Sequence, residues 1–155
     1  MIYLRSEAEF NRASAKAFWQ TRLNLVTGRR PHLLSFDEVV KRFQPEQATY
    51  LGLRDISLKD IVGSVGRHRD FTRHLLPCTR DAWSKERWRL IYARAVSGAG
   101  FPPVDAYQLD LGYFIQNGHE RVSVAAYLGW PTIQAHVTFL PSIPISDANS
   151  TRQFQ

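Results

Sequence analysis

Residues 104–140 constrain the fold more than any other part of the chain. Val104–Leu109 alternates apolar and polar side chains, Asp110-Leu111-Gly112 supplies a turn, and Tyr113–Gln116 runs back, the pattern of a β-hairpin. Asn117-Gly118-His119-Glu120-Arg121 leads into Val122–Leu128, a two-turn helical pattern ended by Gly129. Thr132–Leu140 then alternates as a strand, with Ile133, Ala135, Val137 and Phe139 sharing one face. A hairpin, a helix and a strand in that order predict an α+β domain in which the helix covers a small sheet.

Upstream, Ser6 is placed to cap a helix over Glu7–Thr27, with two glutamates in its first turn and Gly28 to close it. Phe10, Ala13, Ala17, Phe18 and Leu25 form its expected buried stripe, while Arg12, Lys16 and Arg22 fall elsewhere. Arg29-Arg30-Pro31 is a basic turn. Ser35–Glu38 has capping-box spacing for a short helix through Phe43, which Pro45 ends. Ile56, Leu58 and Ile61 fit a short strand followed by a helical turn. Ser84–Ser97 is an amphipathic helix with Trp88, Ile91, Tyr92, Ala95 and Val96 inward and Gly98 as its C-cap. The expected organisation is an N-terminal helical segment (1–50), a core domain (51–140) and a loose C-terminal tail (141–155).

At 155 residues with 44% apolar and 22% charged side chains, the chain matches one ordinary globular domain. No run approaches the ~18 apolar residues of a membrane span, and the N-terminus has no apolar signal-peptide core. A cytoplasmic location without a membrane partner is expected. The lone Cys78 excludes an internal disulfide and reads as a passive small residue rather than a nucleophile. The five histidines never fall at a metal-ligand spacing, so no metal site is expected. Trp19, Trp83, Trp88 and Trp130 read as core or helix-face packing rather than as base-stacking platforms.

The charge is distributed unevenly. Net +6 comes from twenty Lys and Arg, sixteen of them arginine, against fourteen Asp and Glu; residues 54–94 hold ten cations and five anions. Arginine's planar fork matches phosphate geometry, so a phosphate-bearing partner competes with a plain solvated helical face. Two segments localise the question. Gly118-His119-Glu120-Arg121 joins a strand to a helix, where free first-turn amides, Arg121 and His119 can meet an anion, or where Gly118 is simply a turn glycine. Arg67, Arg69 and Arg73, in the glycine-flanked stretch 63–73, can close on a polyphosphate or remain surface charges.

Taken together, residues 54–139 resemble the ParB/sulfiredoxin superfamily, in particular small ParB-like nuclease-domain proteins. The motifs that carry this are Asp55–Ile61, Gly63–Phe71, Phe101–Tyr107, Tyr113–Val124, Gly129 and Ile133–Val137. The resemblance implies a ParB/sulfiredoxin-like core, with a small mixed sheet and surrounding helices, that binds a nucleotide or phosphate ester. In the chromosome-partitioning relatives a Gly-Glu-Arg-Arg motif holds the triphosphate; Gly118 and Arg121 match it, whereas His119 and Glu120 depart. An upstream arginine also reaches the phosphates there, and Arg67 or Arg69 occupies that neighbourhood. His119 stands where sulfiredoxins carry their catalytic cysteine, so that activity is not expected. If the site hydrolyses or transfers a phosphoryl group, Glu120 and His119 are the catalytic candidates and Mg2+ with a nucleoside triphosphate is the expected cofactor. The competing reading is a DNA- or RNA-binding or nuclease-like regulatory module that uses the segment 67–73. Self-association is left open.

Overall fold

The computed structural model describes residues 2–78 and 81–143. Four helices, α1 (Ile2–Val26), α2 (Phe36–Val39), α3 (Ala82–Val96) and α4 (His119–Tyr127), accompany six strands. The strands are β1 (Leu34–Ser35), β2 (Thr49–Ser57), β3 (Ile61–Ser64), β4 (Val104–Leu109), β5 (Gly112–Asn117) and β6 (Thr132–Phe139). They form one mixed sheet in the order β1-β3-β5-β4-β6-β2. The expected hairpin is β4–β5, paired antiparallel with Leu109 opposite Gly112. β6 runs parallel to β4 and antiparallel to β2, which carries the sheet to its far edge. The fold is α+β with a mixed sheet, as expected.

The pleat of β5 sorts the core. Phe114 and Ile115 are both buried, and as neighbours in a strand they point to opposite faces. Ile115 joins Val104, Ala106, Ile133, Ala135 and Val137 beneath Val122 and Ala125 of α4. Phe114 packs on the other face with Val39, Phe43, Leu109 and Leu140. α3 and α1 both pack on α4: Phe10 of α1 shares a cluster with Val124, and the Tyr127 hydroxyl of α4 donates to Glu9 of α1. Trp88 of α3 meets Phe10 of α1 edge-on at 5.5 Å, shares a cluster with Val124 of α4, and donates its indole N–H to Ser123 Oγ at 3.0 Å.

Several expected boundaries and faces differ. α1 begins at Ile2, so Ser6 is no cap; it is buried within the helix and donates to the Tyr3 carbonyl. Phe18 and Leu25, expected inward, are exposed, and Asn24 is buried in their place. Trp19 and Trp83 are exposed rather than packed, as is Val96. Ser35 makes no side-chain cap to α2, which gives way to a 3-10 turn at Val40. α3 starts two residues early because Asp81 accepts from Ser84 N. The glycine-flanked stretch 63–73 opens with the last two residues of β3, which lies between two parallel neighbours. Residues 141–143 are not loose: the Pro141 carbonyl accepts from Gln44 N and Ile143 N donates to the Arg42 carbonyl. The rest of the expected tail, 144–155, lies outside the described residues. No described helix is long and apolar enough to cross a membrane.

Candidate functional site

Gly118 ends β5 and opens α4 with φ of +101°, a conformation that favours glycine. α4 therefore starts at His119, and His119, Glu120 and Arg121 occupy its first turn. The space where Gly118 was expected to admit a ligand is filled. A Cβ added there would stand 2.5 Å from Val104 Cγ1 and 3.1 Å from the Arg121 guanidinium carbon.

All three side chains of the junction are engaged within the protein. Arg121 donates to the carbonyls of Pro102 (2.9 Å) and Pro103 (2.7 Å), tying α4 to the lead-in of β4. Glu120 is 2% exposed; its Oε1 accepts from Arg67 at 2.7 Å, while Oε2 has no hydrogen bond and lies 3.8 Å from Arg87. Arg67 also binds Asp70 (3.0 Å) and Ser84 Oγ (3.3 Å) and lies over the Phe71 ring. Burial pulls the Arg67 pKa down, but its hydrogen bonds to Glu120 and Asp70 outweigh that and raise it. A carboxylate held between two guanidinium groups does not fit a divalent cation, and at 2% exposure Glu120 is enclosed by the protein.

His119 is buried, stacks on Phe71 and shares a 2.6 Å hydrogen bond between its Nε2 and Ser64 Oγ. The ring also hydrogen-bonds the backbone at Ile115. Ser64 Oγ also accepts the Arg67 N–H at 3.1 Å. The pair has the outline of a nucleophile and its base. Ser64 is fully buried, however, and the space beside His119, bounded by Leu33, Phe71, Leu75, Ile115 and Val122, is too small for a water molecule. Ser64 and His119 fasten β3 to α4 from buried positions.

Burial, then the Arg67 charge, pushes the His119 pKa down to about 4. The unfolded chain therefore binds a proton near pH 6.5 that the folded protein refuses until about pH 4, and stability falls across that window as pH drops. The loss should approach about 3 kcal/mol near pH 4. Urea midpoints measured from pH 7.5 downward should slope less in His119→Gln than in the parent; parallel slopes would remove His119 from the acid response.

The three expected arginines separate. Arg67 is internal to the junction, Arg69 is exposed on the 3-10 turn His68–Asp70, and Arg73 belongs to a different cleft. That cleft, about 430 Å³, is lined by Arg30, Lys59, Arg73 and His74 over Leu58, Ile61, Val62, Ala126 and Trp130. Its construction joins three remote segments. Arg73 N donates to the Pro31 carbonyl at 2.9 Å, His32 bridges Thr72, and Lys59 sits on the 3-10 turn before β3. Thr72 Oγ1 accepts from His74 N and Leu76 N (both 3.2 Å), clamping a turn in which buried Leu75 takes φ of +73°, costly for a leucine. Among the described residues no carboxylate lies within 4.0 Å of Arg30, Lys59 or Arg73. Burial and the Arg73 charge lower the Arg30 pKa, as expected when like charges gather without counter-ions. Burial first, then Arg73, Arg29 and Lys16, lowers His74. A larger open groove of about 950 Å³ runs along α1 and α3, lined by Ile2, Leu90, Ile91 and Ala93 with Tyr3, Arg87, Arg94 and Ser97. Cys78 lines a third groove beside α1, and burial raises its thiol pKa, the opposite of an activated cysteine.

Sequence reasoning reached Arg73 but missed Arg30, Lys59, His74 and Trp130 as its neighbours, and missed Ser64 altogether. The basic turn Arg29-Arg30-Pro31 was visible, but nothing in a linear pattern pairs it with Thr72 some forty residues on.

No family model matches the chain, and no curated protein matches it. A search of solved structures finds similarity to sulfiredoxin from Arabidopsis thaliana, at 15% identity and a TM-score of 0.42, covering 66% of this chain and 97% of that one.

Proposed function

We propose that the protein binds a phosphate ester with an aromatic or apolar body, of the mononucleotide class, in the cleft between Arg30, Lys59, Arg73 and His74. What supports it is the convergence of three cations on one open concavity with no carboxylate within 4.0 Å of them among the described residues. Gathering like charges costs free energy, and an anionic ligand is the partner that relieves it. Two guanidinium groups and an ammonium suit a phosphate's several acceptor oxygens. The floor of Leu58, Ile61, Val62 and Trp130 offers an apolar and aromatic surface beside them, and the volume falls in the ordinary range for small-ligand sites. The strand–helix junction, by contrast, spends its charges internally, so phosphate binding is assigned to this cleft.

Titration with AMP, ATP and inorganic pyrophosphate tests the proposal. A charge-assisted contact of roughly 1.5–3 kcal/mol corresponds to about a tenfold or greater loss of affinity in Arg73→Gln, with a comparable loss in Lys59→Gln. Arg121→Ala should change affinity less than about twofold once the folded fraction is accounted for. Loss of binding in Arg121→Ala with normal binding in Arg73→Gln would return the site to the junction, and duplex DNA bound in preference to every free nucleotide would replace this function with a nucleic-acid one.

A further inference from the structure

We infer that the outward face of the C-terminal half of α1 docks the protein on an anionic lipid surface. α1 buries Phe10, Ala13, Ala17 and Asn24 against the domain, and at helical spacing the opposite face carries Trp19, Leu23 and Val26, exposed to 68%, 65% and 85%. Phe18 and Leu25 flank them, also exposed. Five large exposed apolar side chains within nine residues make a cluster of the kind that ordinary surfaces avoid, and at helical spacing Arg22 falls between Phe18 and Leu25 on one side and Trp19 and Val26 on the other.

Charge identifies the occupant. From residue 10 to residue 36 the chain contains Arg12, Lys16, Arg22, Arg29 and Arg30 and no Asp or Glu. Arg22 lies over the Phe18 ring at 4.6 Å, so its cation stands among the exposed apolar side chains. Among the described residues Lys16, Arg22 and Arg29 have no carboxylate within 4.0 Å. A second copy of the chain would bring these cations against one another. A nucleic acid would satisfy the cations but leave Leu23, Leu25 and Val26 facing phosphates. An interface with anionic headgroups takes both, with the aliphatic side chains and Trp19 at the acyl boundary and the cations at the phosphates. Such docking lies in the membrane plane and needs no spanning helix. It does not depend on the phosphate cleft, because Trp19 and Leu23 lie outside it.

The experiment is sedimentation with vesicles of phosphatidylcholine alone or with about 30% phosphatidylglycerol, at ~50 mM and ~500 mM salt. The full chain should favour the anionic vesicles by at least about tenfold, and high salt should weaken the binding. Trp19→Ser with Leu23→Ser should abolish it at an unchanged melting temperature, and Trp19→Phe should retain it. Equal binding to both vesicle types, no binding, or binding unchanged in the double variant would overturn the inference. So would a parent dimer in light scattering that becomes a monomer in the double variant, because a second copy would then own the face. Duplex DNA binding lost in the same variant would overturn it in favour of nucleic acid.

Discussion

Arg67→Ala is expected to destabilise the protein by about 3–5 kcal/mol, the cost of stranding a buried carboxylate. Glu120 is almost wholly enclosed, and Arg67 is its one hydrogen-bond donor among the described residues; Arg87 stands at 3.8 Å and is largely exposed. Removing the guanidinium also frees Asp70 and Ser84 Oγ and uncovers the Phe71 ring. The decisive comparison is a double-mutant cycle. Glu120→Gln placed in the Arg67→Ala background should restore much of the loss, because a neutral amide costs less to bury than an unpaired carboxylate. Urea denaturation of the four proteins measures it. A single-variant loss below about 1 kcal/mol, or no restoration in the double variant, would mean that the pair is solvated and that Arg67 is free for a ligand after all.

The second large effect is expected at Gly118→Val, through the fold. Two independent costs meet there: a φ of +101° that a β-branched residue resists, and a Cβ position already occupied by Val104 at 2.5 Å. Together these should remove roughly 3 kcal/mol or more. Because α4 starts at this residue, the strain would also pull Arg121 from the Pro102 and Pro103 carbonyls. The melting temperature should fall steeply, while nucleotide affinity of the remaining folded protein stays near that of the parent. The reverse result, a stable protein with lost affinity, would place the ligand at the junction.

The phosphate-binding junction expected from the sequence and the internal use of that junction are compatible in physical terms. A glycine followed by a helix start is the same local solution whether the first-turn amides face a phosphate or a protein group. Here a carboxylate, Glu120, occupies the first turn, where the helix dipole favours negative charge, and Arg67 supplies its counter-ion from 53 residues upstream.

What the sequence determined by itself is the part governed by local periodicity. Strict alternation over 104–109 and 132–139, a glycine turn, and a helical stretch closed by Gly129 specify β4, β5, α4 and β6, because side-chain direction repeats within a few residues whatever the partner. The tertiary structure decided what alternation cannot encode. Four residues, Ile61–Ser64, are too few and too small to show a period, and they become a strand only because β1 and β5 flank them. On α1 the helical stripe placed Phe10, Ala13 and Ala17 inside, as found, but only the packing decided that Phe18 and Leu25 go outside and Asn24 inside. The two arginine clusters separated for the same reason. Arg67 and Arg73 are six residues apart, yet one turns in to a buried glutamate and the other out to a cleft shared with Arg30 and Lys59. Charge pairing depends on three-dimensional distance, and the loops that set it meet through single backbone hydrogen bonds between segments remote in the chain.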